Sequence, residues 1–124
     1  MAIGASSNTV LHLLAIAHEA GVDISLDDID NKSKTTPQLS KLNPASDIFI
    51  TDLNDVGGIQ SVIKELAKGG HVDTSVLTVS GTQADRIAKA PNADGTIIHT
   101  CENPIRKTAV LQYSAVTLQK TALL

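Results

Sequence analysis

The chain has 124 residues, a net charge of −3 and 42% hydrophobic residues, a composition that fits one globular domain. The acidic balance and the scattered cations argue against nucleic acid or an anionic membrane as a partner. Its single cysteine, Cys101, excludes an internal disulfide and is too few thiolates to hold an iron–sulfur cluster alone. No stretch approaches the ~20 apolar residues of a membrane span, so we expect a cytoplasmic protein.

The first predicted element is an apolar helix near the N-terminus. Either Ser7 or Asn8 caps this helix, its apolar residues continue to about Ala20, and Gly21 is a natural stop. Because apolar side chains cover most of its circumference, we expect the helix to be buried on several sides.

A second, short helix follows a polar turn. Ser25 and Asp28 form an acidic version of a capping box, which predicts a helix to about Lys34. Pro37 and Pro44 then bracket a loop-like connection.

Three short runs have the composition of strands. Residues 47–51, 76–79 and 96–99 are rich in β-branched and apolar side chains, and turn residues bound them. The last of these runs follows a turn over residues 91–95. Residues 108–124 fit either strands or a helix.

Two further helices are predicted between these runs. Gly57 and Gly58 precede an amphipathic helix whose apolar residues recur at i, i+3, i+4, i+7 and i+8, and Gly69 follows it. Thr82 is a candidate cap for a helix that continues to about Ala90.

The candidate binding residues are Ser6, Ser7 and Asn8. They stand in a loop of small residues that begins at Gly4 and leads into the first helix. Unpartnered amides and the helix dipole attract carboxylates and phosphates to such an end. No Lys or Arg is a sequence neighbour, and the Gly-Lys-Ser/Thr ending of a phosphate-binding P-loop is absent. An ordinary capped helix is therefore the alternative interpretation.

Other polar residues support a site less well. The acidic run Asp27, Asp28 and Asp30 fails as a calcium loop because Ser33 and Leu39 stand where glycine and glutamate are needed. On a strand, His99 and Cys101 would share a face, but no orienting third group is evident. We therefore assign no catalytic or metal-binding residue; the four histidines lack the spacing of a zinc site.

Several consecutive segments resemble the dihydroxy-acid and sugar-acid dehydratases. Gly4 to Asn8 is similar to a Gly-Gly-Ser-Thr-Asn motif, and the Leu-Leu-Ala-Ile-Ala run that follows is typical of the same family. Further blocks keep the family's order to about Lys107; they include Ala20 to Asp23, Leu26 to Asp28, Gly57-Gly58, Leu77 to Gly81 and Glu102 to Ile105. The resemblance is greatest to the dihydroxy-acid dehydratases, and the 6-phosphogluconate dehydratases remain an alternative.

The resemblance implies a fold class, a reaction and cofactors. The fold would be α/β, as a helix-rich fragment with a few short strands. Residues 1–80 would end the family's N-terminal α/β domain, and residues 81–124 would be a linker and the truncated start of its C-terminal β-barrel-like domain. Family members dehydrate 2,3-dihydroxy acids to 2-oxo acids in valine, leucine and isoleucine synthesis, using an iron–sulfur cluster and magnesium.

Departures from the family pattern limit what this chain can do alone. The family's cluster cysteines and its magnesium-binding Asp/Lys region map before Met1, and its catalytic serine and a further magnesium carboxylate map after Leu124. Cys101 does not match a cluster ligand, and only Ser6, Ser7 and Asn8 match a motif of the active cleft, where they would bind substrate. We therefore expect an inactive internal fragment without its own cofactor, whose exposed apolar helix promotes self-association.

Two other functions remain open at this point. The chain could be a small non-enzymatic module that binds an anionic metabolite or a partner chain at the Ser6 to Asn8 helix end. It could also be a subunit that completes a cluster-bearing partner.

Overall fold

The computed structural model describes residues 1–4 and 6–109. Along these residues the elements are α1 (Asn8–Glu19), α2 (Leu26–Thr35), α3 (Ile50–Asp55), α4 (Gly58–Lys68), β1 (Leu77–Thr78), β2 (Gly81–Thr82) and α5 (Gln83–Ala88). The two strands form one antiparallel sheet. The coarse prediction of a helix-rich chain with a few short strands is confirmed.

Helix α1 begins and ends close to where the sequence predicts. Gly21 adopts φ +68°, its amide bonds His18 O at 3.2 Å, and the Val22 amide bonds Ala17 O at 2.8 Å. These two bonds are the Schellman arrangement that a C′ glycine permits.

The expected burial of α1 on several sides is wrong. Within the helix only Val10 and Ala17 are buried, whereas Leu13 and Ile16 are 49% and 64% exposed. The more extensive contacts among the described helices join α3 to α4 and α4 to α5, so little packs against α1. Helix α1 therefore carries more apolar surface than the described residues cover.

The capping box of α2 is confirmed. The Ser25 amide donates to Asp28 Oδ2 at 2.8 Å, and the Asp28 amide donates to Ser25 Oγ at 3.2 Å. These two bonds satisfy amides that lack partners inside the helix, which fixes its first residue.

Residues 47–51 do not form the predicted strand, because α3 begins at Ile50. The Phe49 amide donates to Asp52 Oδ2 at 2.7 Å, so a carboxylate three residues ahead starts a helical turn. Phe49 is exposed, and its aromatic ring adds little to the core.

Helix α4 forms where the amphipathic pattern predicts it. Of the predicted apolar stripe, Val62 is buried and Leu66 packs against the core, whereas Ile59 is 44% exposed. Leu53, Val62 and Ile98 pack with Leu39 and Ala2. At the start of the helix, Gly57 has φ +120°, and a Cβ there would lie 2.0 Å from Ser61 Oγ. The glycine therefore permits both the turn and the close approach of Ser61.

The strand predicted over residues 76–79 is shorter than expected and belongs to a hairpin. Leu77 pairs with Thr82, and Thr78 pairs with Gly81. Thr82 caps α5 as predicted, since its Oγ1 accepts from the Asp85 amide at 3.2 Å; the helix ends at Ala88 rather than near Ala90.

The turn predicted over residues 91–95 is an irregular segment that bends from Gly95, and residues 96–99 do not form the predicted strand. Asp94 Oδ1 accepts from the Ile98 amide at 2.7 Å, and Oδ2 accepts from the Ile97 amide at 3.1 Å and from Thr96 Oγ1 at 2.5 Å. These bonds fold the segment over the carboxylate, so its backbone amides are not available to a neighbouring strand. The two alternatives for residues 108–124 lie almost wholly outside the described residues.

Candidate anion-binding site

The loop before α1 uses Ser6, not Ser7 or Asn8, to satisfy the first turn. Ser6 Oγ accepts from the Asn8 amide at 3.2 Å, and Ser6 O accepts from the Thr9 amide at 3.0 Å. Ser7 is the residue before the helix, but its side chain makes no capping bond. The expectation that Ser7 or Asn8 caps the helix through its side chain is therefore wrong.

A cavity of about 220 Å³ lies at this end of α1, and we call it the α1 cavity. Its polar lining consists of Ser6, Thr9, Gln38, Lys41 and Arg106. Apolar side chains, which include Val10, Leu13 and Ile29, line the rest. Ser7 and Asn8 are not among its lining residues. Pockets for drug-sized ligands run from about 300 to 1,000 Å³, so this volume suits a smaller metabolite.

Two cations reach the α1 cavity from distant parts of the sequence. The expectation that no Lys or Arg accompanies the Ser6 to Asn8 loop holds along the chain but not in space, because Lys41 and Arg106 share its cavity. Among the cavity's described lining residues there is no Asp or Glu. A chain of net charge −3 therefore presents a locally positive site where a helix begins.

Backbone pairing explains how these residues come together. The Gln38 amide donates to Arg106 O at 2.9 Å, and the Ile105 amide donates to Gln38 O at 2.9 Å. On the other side, the Leu39 and Ser40 amides both donate to Ala2 O, at 2.8 and 3.0 Å. The segment that carries Gln38 is thus held between the chain's first residues and the segment that carries Arg106. Such long-range pairing leaves no local sequence signal.

Gly4 completes the wall of the cavity. It adopts φ +67°, and a Cβ at this position would lie 2.6 Å from Gln38 Nε2. A larger residue would both strain the backbone and displace the Gln38 amide. Glycine at position 4 therefore permits the loop conformation and leaves room for the Gln38 side chain.

The acidic run on α2 has structural roles. Asp28 closes the capping box, and hydrogen bonds from the backbone and side chain of Ser25 lower its pKa. Asp30 pairs with Lys34 one helical turn later. Within residues 1–4 and 6–109 no group of three His, Cys, Asp or Glu side chains is placed to hold a metal ion.

Cys101 belongs to a structural contact with α4. Its amide donates to Glu65 Oε1 at 3.1 Å, and its Sγ donates to Glu65 O at 3.2 Å. Burial raises the pKa of the Cys101 thiol, and the nearby negative charge of Glu65 raises it further. Residues 99 and 101 also do not lie on a strand, so the expected shared face of His99 and Cys101 is not formed.

These residues do not fit the metal groups that the family resemblance implies. An iron–sulfur cluster needs several thiolates, and the one cysteine of the sequence is a protonated thiol bonded to a backbone carbonyl. The histidines and carboxylates supply no alternative ligand set in the region that the structure covers. We therefore derive no chemistry through a cluster or magnesium held by this chain. Over the same region no helix is both long and apolar enough to span a membrane.

The described residues form a helix-rich α/β segment whose α1 cavity is lined by Lys41 and Arg106 together with apolar side chains. A family model described as the N-terminal region of the dihydroxy-acid/6-phosphogluconate dehydratases matches residues 1–87. The chain belongs to this family.

Curated relatives agree with the family model. A dihydroxy-acid dehydratase of Desulfosudis oleivorans is 57% identical over 106 residues, which cover 84% of this chain and 19% of that protein. One from Aquifex aeolicus is 51% identical over 108 residues, covering 86% of this chain and 20% of that protein. One from Lachnospira eligens is 46% identical over 112 residues, which cover 90% of this chain and 20% of that protein. The chain is a dihydroxy-acid dehydratase-like fragment that spans about a fifth of the length of these relatives.

Proposed function

We propose that this chain supplies a substrate-binding part of a hydro-lyase that converts 2,3-dihydroxy acids to 2-oxo acids. In this role the end of α1 binds the carboxylate of the acid. The observation that carries the proposal is the α1 cavity, in which Ser6 and Thr9 of the helix end share one small space with Lys41 and Arg106.

Each group of the cavity has a separate task toward a carboxylate. The Ser6 hydroxyl accepts from the Asn8 amide, and its own hydrogen remains available to donate to an anion. Lys41 attracts the anion as a point charge, while the guanidinium of Arg106 can donate two parallel hydrogen bonds. The helix dipole adds a positive potential at the same end.

Ser7 and Asn8 remain in the proposed substrate site with a lesser role. They form the turn that presents Ser6 but do not line the cavity. We therefore propose that their replacement weakens binding less than replacement of Ser6 does.

The full reaction needs more than this chain. The iron–sulfur cluster and magnesium that the family resemblance implies do not fit its residues, so the proposal includes no turnover by the isolated chain. Residues 1–80 would belong to the N-terminal domain of the full enzyme and residues 81–124 would lead into the next. A cytoplasmic role in branched-chain amino-acid synthesis completes the proposal.

The alternatives receive less support from the relatives. A sugar-acid dehydratase fragment would use the same cavity for a sugar-acid carboxylate, but the relatives named above are dihydroxy-acid dehydratases. No observation separately favours a small non-enzymatic binding module or a subunit that completes a partner chain.

The test is a binding titration of the 124-residue chain with 2,3-dihydroxyisovalerate, followed by amide chemical shifts in NMR. We expect saturable shifts at the start of α1 and around Arg106. Because exposed charge pairs contribute about 0.2–1 kcal/mol each, Arg106→Gln and Lys41→Gln should each weaken binding by up to about fivefold. Lys89→Gln is the matched control, since Lys89 is exposed at the end of α5 and does not line the cavity.

Two results would contradict the proposal. One is the absence of any saturable shift at millimolar ligand. The other is equal weakening by Lys89→Gln and Arg106→Gln, which would reduce the effect to the net charge of the chain.

A further inference from the structure

The α1 cavity changes from polar to apolar along the helix that forms one of its walls. Ser6, Thr9, Val10 and Leu13 all line the cavity. Because they are three, four and seven residues apart, they share one face of α1 and of the turn that starts it. Val10 follows Ser6, and Leu13 follows Thr9, by about one helical turn. This wall therefore carries hydroxyl groups at its start and hydrocarbon beyond them.

The segments that carry the two cations approach the polar end of the cavity. The Gln38 side chain lies against Gly4, just before α1, and the Gln38 backbone pairs with Arg106. Lys41 follows Gln38 closely along the chain and also lines the cavity. Both segments are thus anchored beside the loop that precedes α1, where the helix dipole also favours an anion.

The apolar part of the cavity is lined by two helices. Ile29 of α2 lines it together with Val10 and Leu13 of α1. Val10 is only 3% exposed, whereas Leu13 is 49% exposed and keeps apolar surface that a ligand can cover. Covering such surface favours binding because it removes hydrocarbon from water. This part of the cavity therefore suits an alkyl group better than a hydroxyl group.

We infer that Val10, Leu13 and Ile29 form an alkyl subsite that selects, among the acids that the cations hold, those with a branched hydrocarbon end. This inference rests on the proposed function, which places the carboxylate at the start of α1. The far end of a short acid would then lie one turn along the helix, beside Leu13. A sugar acid would bring hydroxyl groups to the same place, where three hydrocarbon side chains replace their water without offering a hydrogen bond.

The test compares two acids that differ only by two methyl groups, 2,3-dihydroxyisovalerate and 2,3-dihydroxypropanoate, by NMR titration of the 124-residue chain. Burying one methyl group strengthens binding about fourfold, which corresponds to about 0.8 kcal/mol. Because Leu13 leaves the subsite partly open, we expect a preference of about fourfold, for one covered methyl, to about fifteenfold, for two. Gluconate, which has hydroxyls along its chain, should bind no more tightly than 2,3-dihydroxypropanoate.

The variant that tests the subsite is Leu13→Asn, which replaces hydrocarbon by an amide of similar shape. Since Leu13 is half exposed, its replacement leaves the core of the chain intact. We expect the preference to fall to about twofold or less, with unchanged affinity for 2,3-dihydroxypropanoate.

The matched control is Ile16→Asn. Ile16 lies on the same helix, is 64% exposed and does not line the cavity. This variant removes a similar amount of hydrocarbon from α1 and should leave the preference unchanged. An effect that arises from self-association of α1 would appear in both variants.

The outcomes separate this inference from the proposed function. If the unmodified chain binds both acids equally well, the cavity binds carboxylates as proposed but the alkyl subsite is wrong. A preference that survives in Leu13→Asn, or that falls equally in Ile16→Asn, also overturns the subsite, as does gluconate binding as tightly as 2,3-dihydroxyisovalerate. If none of the acids binds, the proposed function fails and takes the inference with it.

Discussion

Replacement of Asp94 by asparagine should destabilise the chain by about 1 kcal/mol at neutral pH. Asp94 accepts hydrogen bonds from the amides of Ile97 and Ile98 and from the Thr96 hydroxyl. Ile98 is fully buried in the core, so the Asp94 carboxylate holds in place the backbone segment that carries a core side chain. Asparagine keeps one oxygen acceptor but loses the charge that strengthens these bonds.

The magnitude follows from the pKa of Asp94. Partial burial acts to raise the pKa, but the hydrogen bonds from Thr96, Ile98 and Ile97 outweigh it and lower the pKa from 3.8 to about 2. One pKa unit corresponds to about 1.4 kcal/mol, so the full difference corresponds to about 2.5 kcal/mol. Because the side chain is largely open to solvent, which screens the charge, we reduce this value to about 1 kcal/mol.

The pH dependence has a definite sign. The pKa is lower in the folded than in the unfolded chain, so the stabilisation is complete above about pH 4 and is lost as the pH falls toward 2. Urea unfolding followed by circular dichroism at pH 7 and at pH 2 measures this. Asp23→Asn is the control, since Asp23 is exposed and no side-chain hydrogen bond of Asp23 is found among the described residues. The reasoning is refuted if Asp94→Asn costs no more than Asp23→Asn at pH 7, or if its cost persists at pH 2.

Three further predictions concern other parts of the chain. Gly57→Ala should destabilise the chain by about 2–3 kcal/mol more than Gly70→Ala. Both glycines have positive φ, but only at Gly57 would the added Cβ lie 2.0 Å from Ser61 Oγ. Equal melting temperatures of the two variants would contradict this. Cys101 should react with a disulfide reagent at pH 7 several-fold more slowly in the folded chain than in urea, because burial and Glu65 raise the pKa of its thiol; equal rates would show that the thiol is not protected. The chain should self-associate through the exposed Leu13 and Ile16 of α1, and Ile16→Glu should weaken this association in analytical ultracentrifugation; a monomer at high micromolar concentration would count against it.

Local chemistry explains which elements the sequence predicts well. Ser25 and Asp28 accept hydrogen bonds from each other's amides, and this fixes the start of α2. Gly21 adopts a left-handed conformation that ends α1. Each of these helix ends therefore depends on a few adjacent residues. The failed strands have a local cause as well. Asp52 follows the strand-like residues 47–51 and accepts a hydrogen bond from one of their amides. Asp94 precedes residues 96–99 and does the same there. These side-chain hydrogen bonds compete with strand pairing.

The candidate site is predicted only in part, because half of it is assembled by long-range pairing. The loop before α1 stands out in the sequence through its small and polar residues. Lys41 and Arg106 join it because the Gln38 backbone pairs with the 105–106 segment, and no local pattern reports that pairing. The exposure of α1 has a similar origin, since its sequence shows an apolar surface but not which residues cover it.

We propose that this chain carries a substrate-binding cavity of a dihydroxy-acid dehydratase without the ligands for the enzyme's cluster. Anaerobic cluster reconstitution tests it most directly, with iron content, binding of 2,3-dihydroxyisovalerate and 2-oxo acid formation measured on the same sample. We expect saturable binding with no stoichiometric iron and no 2-oxo acid. Bound iron with turnover would contradict it and would require a new role for Cys101.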